Sequence, residues 1–185
     1  MGQGDTVAVF ARGPVGLCAS GGARLKGAGL VIAVDSVQSR LKMAQRPGVD
    51  IALNFTEVDV VAEIRRLTGG RGGDVAIEAL GTPGSFANGL KVIRLGGTLS
   101  SLGISSDDLT IHWADYVGGL GDQTVVNTHC PGGHQRMEAR MRLVENGRID
   151  LTPLLTHTFS LDQLPEAYDL FAHQRDAVLK VAVAV

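Results

Sequence analysis

Thr6-Val7-Ala8-Val9-Phe10-Ala11-Arg12-Gly13-Pro14-Val15-Gly16 lies near the start of the chain, and its reading decides the fold. Thr6 to Phe10 form the β-branched and apolar run of a strand, and a helical pattern starts at Pro14 and reaches Lys26. The turn between them carries Gly13 and Gly16, and Pro14 stands where a first helical residue tolerates proline. A glycine-bearing turn from first strand to first helix is where dinucleotide-binding folds seat a diphosphate. Backbone N–H groups at a helix N-terminus attract negative charge. A side chain at Gly13 would hold that backbone off a ligand, and one at Gly16 would push the helix off the sheet. The first glycine of the usual pattern is replaced by Ala11. If the turn is left-handed there, alanine costs about 1–2 kcal/mol. Taken alone, this incomplete fingerprint fits a ligand-free glycine turn as well as a binding site.

Asp35 shifts that balance. It lies nineteen residues after Gly16, at the end of a second apolar strand, Leu30-Val31-Ile32-Ala33-Val34. A carboxylate there can accept hydrogen bonds from both adenosine ribose hydroxyls and repel a 2′-phosphate, so the expectation is NAD over NADP. The competing reading of Asp35 is a helix N-cap, since Ser36 and a helical spacing follow.

The alternation continues outward from this pair. Residues 36–45 read as a helix, 51–53 as a short strand, and 57–67 as a helix led by Thr56 as N-cap. Residues 74–80 read as a strand, and Thr82-Pro83 opens a helix reaching about Ile93. Gly96-Gly97 precedes a strand at 98–102. Residues 109–111 and 124–127 are expected to be strands. Helical spacing returns at Met137, Met141 and Val144, and at Leu164, Tyr168 and Phe171, with Ser160 and Gln163 as a capping box for the last helix. Residues 179–185 close as a strand. Such alternation predicts an α/β fold, a doubly wound parallel (Rossmann) sheet covered on both faces, with a C-terminal helical segment. The expected organisation is a cofactor-binding domain over 1–128 and a C-terminal segment over 129–185.

Composition narrows the partners. Apolar residues make up 44% and charged residues 19% of 185, which argues for a folded core. A net charge of −2 offers no basic field for nucleic acid or an acidic membrane, and 4% aromatics gives little for base stacking. Cys18 and Cys130 form no paired-cysteine motif. Met1-Gly2-Gln3-Gly4-Asp5 does not read as a signal peptide, and no apolar run approaches a bilayer span, so a cytoplasmic setting is expected.

With these residues in view, the chain resembles the zinc-dependent medium-chain alcohol dehydrogenases, over essentially its whole length but only in their C-terminal, cofactor-binding half. The likeness rests on Val7 to Leu17 and on Val31-Ile32-Ala33-Val34-Asp35. It extends to Leu67-Thr68-Gly69-Gly70-Arg71-Gly72, Glu78-Ala79-Leu80-Gly81, Gly96-Gly97-Thr98-Leu99 and Leu155-Thr156-His157. The resemblance implies that Gly13, Pro14, Val15 and Gly16 line the diphosphate of NAD and that Asp35 holds the adenosine ribose with Arg40 beside it. It further implies Leu80 along the adenine side, Leu102, Gly103 and Ile104 near the nicotinamide, and Lys180 near the diphosphate. For Arg40 and Lys180 a solvated surface charge is nearly as good a reading. The resemblance also implies subunit contacts through strands near 109–111 and 124–127, hence a homo-oligomer.

In that family the catalytic zinc ligands lie upstream of this region, and the expectation is a chain with no metal site and no catalytic residue of its own, inactive alone with alcohols. His129, Cys130 and His134, with His157, match no strong zinc spacing, and a glycine turn before a helix is the simpler reading. Cys18 is expected to be a small core residue. Pro47 should stop the second helix early, Gly73 stands at a strand position, and His112-Trp113 departs from the family pattern. The leading function is the NAD(H)-binding portion of an alcohol dehydrogenase-type oxidoreductase, acting on a small alcohol or carbonyl compound once completed by a catalytic domain. The alternatives are a dinucleotide-binding module without catalysis and a zinc-independent quinone reductase relative, against which Asp35 argues.

Overall fold

The computed structural model describes residues 1–11, 13–44, 48–117, 121–128, 132–173 and 177–184. The chain divides into two compact units, Met1–Gly132 and Gly133–Val185. In the first unit the order is β1 (Thr6–Phe10), α1 (Pro14–Leu25), β2 (Leu30–Asp35), α2 (Gln38–Ala44), β3 (Ile51–Asn54) and α3 (Val60–Leu67). There follow β4 (Gly73–Glu78), α4 (Pro83–Val92), β5 (Ile93–Ser101), α5 (Trp113–Val117) and β6 (Thr124–Asn127).

Among the described residues, six strands form one sheet in the order β3-β2-β1-β4-β5-β6, every neighbouring pair parallel. This is the doubly wound α/β (Rossmann) topology expected from the strand–helix alternation. Residues 7–10 of β1 and 30–34 of β2 are apolar without interruption because both faces of these strands are covered. Ala8, Phe10, Ile32 and Val34 pack with Ile64 of α3 and with Phe86 and Leu90 of α4. Their neighbours Val7, Val9, Val31 and Ala33 are also fully buried. α1 lies against β1, β2 and β4, and α2 against β2 and β3. The chain order reverses between β1 and β4, so the carboxyl end of β1 is the switch point of the sheet, where this topology places ligands.

The opposite, amino-terminal end of the sheet is tied by one carboxylate. Asp74 accepts from the Thr6 N–H at 2.8 Å, from the Arg71 guanidinium at 2.8 and 3.1 Å, and from Arg94 Nε at 2.6 Å. These donors hold its carboxyl far below the ordinary carboxylate range, the Arg71 hydrogen bond contributing most. The pairing of β4 with β5 shifts register between Gly73 and Val75, where Ile93 and Thr98 are successive partners, and this irregularity carries Arg94 to Asp74.

The second unit contains α6 (His134–Glu145), β7 (Leu155–Ser160), α7 (Leu164–Ala172) and β8 (Lys180–Ala184), with β7 and β8 paired in parallel. Thr156 Oγ1 joins them, donating to the Lys180 carbonyl at 3.1 Å and accepting from the Leu179 N–H at 3.0 Å. Ser160 and Gln163 form the expected capping box, on the short 3-10 turn that leads into α7.

Several local expectations are corrected. Residues 109–111 are not a strand. β6 pairs directly with β5, Thr98 to Ser101 facing Thr124 to Asn127, so residues 109–111 do not supply the strand beside β5, and Leu109 and Ile111 are exposed. β7 was not expected: its Thr and His residues give a weak apolar alternation, and it becomes a strand only by pairing with β8. The cap of α3 is Asp59, accepting from the Val61 and Ala62 amides, rather than Thr56. Thr82 caps α4 as expected, in a reciprocal box with Ser85. Cys18 is exposed on α1, so it is not a core residue. Pro47 lies outside the described residues, as do His129 and Cys130.

Candidate dinucleotide-binding site

The bend after β1 has the geometry the sequence required. Ala11 has φ +73°, a left-handed backbone at the position where the fingerprint carries its first glycine, and its N–H donates to the Val34 carbonyl at 2.9 Å. The two following glycines serve different ends. A Cβ on Gly16 would lie 1.8 Å from the Ala11 carbonyl oxygen, so the entry of α1 can approach the bend only without a side chain. Among the described residues a Cβ on Gly13 would meet no atom within 4 Å, and Gly13 is in an ordinary extended conformation. Among the described residues nothing requires glycine at that position, and the side left open lies at the start of α1. Gly13 is the N-cap and Pro14 follows; no side chain caps α1, and its first turn holds no acidic residue. A helix entry with neither a side-chain cap nor an acid is the arrangement that suits a diphosphate. Arg12 lies outside the described residues.

On one side of the bend is β2, paired with β1 up to Phe10 and Val34. Asp35, the last residue of β2, is 6% exposed, and its Oδ1 accepts from the Ser36 and Val37 amides at 2.8 Å each. The capping reading of Asp35 is thus realised, and it also fixes the carboxylate at the strand's carboxyl end, one strand from the bend. Arg40 is half-buried on α2, five residues further on.

On the other side of the bend is β4, where the Ala79 N–H donates to the Phe10 carbonyl at 3.1 Å. Its last residue is Glu78, a carboxylate only 1% exposed. Oε1 accepts from the Leu80 and Gly81 amides at 2.7 Å each and from Ser85 Oγ at 2.8 Å. Oε2 accepts from Ser101 Oγ, at the end of β5, at 3.2 Å. The Glu78 main-chain carbonyl accepts from the Leu102 and Gly103 amides at 2.7 and 3.2 Å. The loops after β4 and β5 touch closely: a Cβ on Gly103 would lie 2.1 Å from the Gly81 nitrogen, and one on Gly81 2.4 Å from the Ile104 carbonyl oxygen. A cavity of about 200 Å³ opens here, lined among others by Glu78, Phe86, Ser101, Gly103, Ile104 and Asn127. In the sequence Glu78 stands out only as part of the Glu78-Ala79-Leu80-Gly81 motif. The available signal was an acid closing the buried strand Gly-Asp-Val-Ala-Ile-Glu.

The first unit thus brings Gly13, Pro14, Val15 and Gly16, Asp35 and Arg40, Leu80, and Leu102, Gly103 and Ile104 to the carboxyl ends of four parallel strands or the segments that follow them. Leu80 and Ile104 are exposed and Leu102 is half-buried. Lys180 belongs to the second unit, where it is exposed at the start of β8.

Among the described residues no group of three His, Cys, Asp or Glu side chains could hold a metal ion. His134 Nε2 lies 3.2 Å from Glu138, and His157 Nδ1 lies 2.9 Å from Thr156 Oγ1. These residues do not fit a zinc site.

Comparison with known proteins points the same way as the geometry. The family model described as zinc-binding dehydrogenase matches residues 14–146. An alcohol dehydrogenase of Cupriavidus necator is 54% identical over 180 residues, covering 97% of this chain and 49% of that protein. An NADP-dependent isopropanol dehydrogenase of Thermoanaerobacter brockii is 34% identical, covering 97% of this chain and 52% of its own. The solved structure of an alcohol dehydrogenase from Thermus sp. ATN1 superposes with a TM-score of 0.88 at 30% identity, covering 99% of this chain and 52% of that one. The chain spans about half the length of the curated relatives it matches.

Proposed function

The chain belongs to the zinc-binding dehydrogenase family, and we propose that it is the dinucleotide-binding portion of an alcohol dehydrogenase-type oxidoreductase that takes NAD in preference to NADP. The observation that carries this reading is the left-handed bend at Ala11, open at Gly13, with Asp35 ending the adjacent strand. The amide end of α1 would hold the diphosphate. The Asp35 carboxylate would accept from the adenosine ribose hydroxyls and repel a 2′-phosphate. Arg40 would neighbour that ribose, Leu80 would lie along the adenine side, and Leu102, Gly103 and Ile104 would approach the nicotinamide. Lys180 is carried over from the resemblance as a diphosphate contact. When bound, the dinucleotide supplies the hydride acceptor for reversible oxidation of a small alcohol to a ketone or aldehyde. This chain's part is to bind and orient it. The described residues do not fit zinc.

On the same reading, residues 1–128 carry the cofactor and 129–185 form the segment that returns toward a catalytic domain. No helix among the described residues is long and apolar enough to cross a membrane, and the proposed setting is cytoplasmic. The exposed edge strand β6 is the proposed contact between copies of the chain. Calorimetric titration of the purified chain with NAD and NADP side by side tests the cofactor assignment. NAD should bind more tightly, and equal affinities would remove the role given to Asp35.

A further inference from the structure

Glu78 is a costly residue to place at the end of a central strand. A buried carboxylate is tolerated only where donors surround it. Here the Leu80 and Gly81 amides and Ser85 Oγ converge on Oε1, while Ser101 Oγ reaches Oε2. One side chain therefore holds the loop after β4, the start of α4 and the end of β5. The Glu78 carbonyl adds the Leu102 and Gly103 amides. Gly103 completes the junction, since a Cβ there would stand 2.6 Å from Glu78 Oε2 as well as 2.1 Å from the Gly81 nitrogen. The two loops so joined expose Leu80 and Ile104.

From this junction we infer that Glu78 is a positioning residue: it sets where the Leu102–Ile104 loop stands against the loop after β4, and so the seat of the nicotinamide half of the dinucleotide. The inference rests on the proposed function and extends it to a residue that touches no cofactor itself. The diphosphate contacts at α1 and the ribose contact at Asp35 lie outside the Glu78 network, and Leu80, on the adenine side, belongs to it through its amide, so the nicotinamide half of the ligand should respond more strongly than the adenosine half when it is broken.

The test uses the whole chain with NADH and with ADP-ribose, which lacks the nicotinamide. Glu78→Ala should weaken NADH binding about tenfold or more, as expected when charge-assisted hydrogen bonds are lost, and change ADP-ribose affinity less than about threefold. Glu78→Gln retains an Oε1 acceptor for the Leu80 and Gly81 amides and should restore NADH affinity to within about threefold of the unaltered chain. The fluorescence of bound NADH should shift in Glu78→Ala and return in Glu78→Gln. Equal losses for both ligands, an NADH affinity unchanged in Glu78→Ala, or a Gln variant no better than Ala would each overturn the positioning role. If Glu78→Ala does not fold, Ser101→Ala decides by the same comparison, since it removes only the bond to Oε2. Failure of the unaltered chain to bind either ligand would instead refute the dinucleotide reading on which this inference depends.

Discussion

Ala11 is the residue at which sequence and geometry meet most directly. At φ +73° it occupies a backbone region that costs an L-residue about 1–2 kcal/mol. Glycine would remove that strain but add freedom to the unfolded chain, worth about 0.4–1 kcal/mol in the other direction. Ala11→Gly should therefore raise stability modestly, by up to about 1.5 kcal/mol, read as a higher midpoint in thermal or urea unfolding. A lowered midpoint would mean that the turn is not left-handed in solution. Asp35 needs a subtler substitution, because its Oδ1 also holds the Ser36 and Val37 amides. Asp35→Asn keeps an acceptor for them and removes the charge. NAD affinity should fall by about 1.5–3 kcal/mol in calorimetry, the range of a charged hydrogen bond, while discrimination against NADP narrows. Unchanged affinities for both would leave Asp35 as a cap only.

At the scale of elements, the Asp74 junction fastens the amino ends of β1, β4 and β5. Its carboxyl is held below its unfolded value, so its stabilising contribution is complete above about pH 4 and is lost as pH falls through the folded value. Asp74→Asn should cost about 1–3 kcal/mol at neutral pH, because the Thr6 amide and two guanidinium groups lose their charged acceptor. Arg71 is half-exposed, and solvent screening keeps the loss toward the lower end. The gap between variant and parent should narrow in urea unfolding below pH 4. A gap constant from pH 7 to pH 3 would show that the carboxylate's charge is not what matters. The order and type of most elements in the first unit were legible beforehand, because apolar runs, helical spacing and cap residues are local signals. Strand β7 was not, since only its pairing with β8 makes a strand of Leu-Thr-His-Thr-Phe-Ser.

For the whole molecule, β6 is an edge that β5 pairs on one side only, with Val125 and Val126 exposed. Unpaired strand edges invite addition of another strand, and a second copy of the same edge is a self-complementary partner. Val126→Lys should shift the chain toward monomer in sedimentation velocity without altering the chain's unfolding free energy by more than about 0.5 kcal/mol. A parent chain that is already monomeric at high concentration would remove β6 as an interface. The segment 109–111, expected to share that edge, is an exposed loop and contributes no strand to it.

The sequence by itself determined the alternating α/β order, the bend after β1, the requirement for glycine at position 16 and the acid at the tip of β2. Each follows from side-chain periodicity or backbone sterics within a few residues. Tertiary structure alone decided what Asp74 and Glu78 do, which face Cys18 takes and which runs become strands. Thr6 reaches Asp74 across 68 residues and Ser101 reaches Glu78 across 23. Partnerships at that distance depend on how the sheet is ordered, and no local pattern of residues records them.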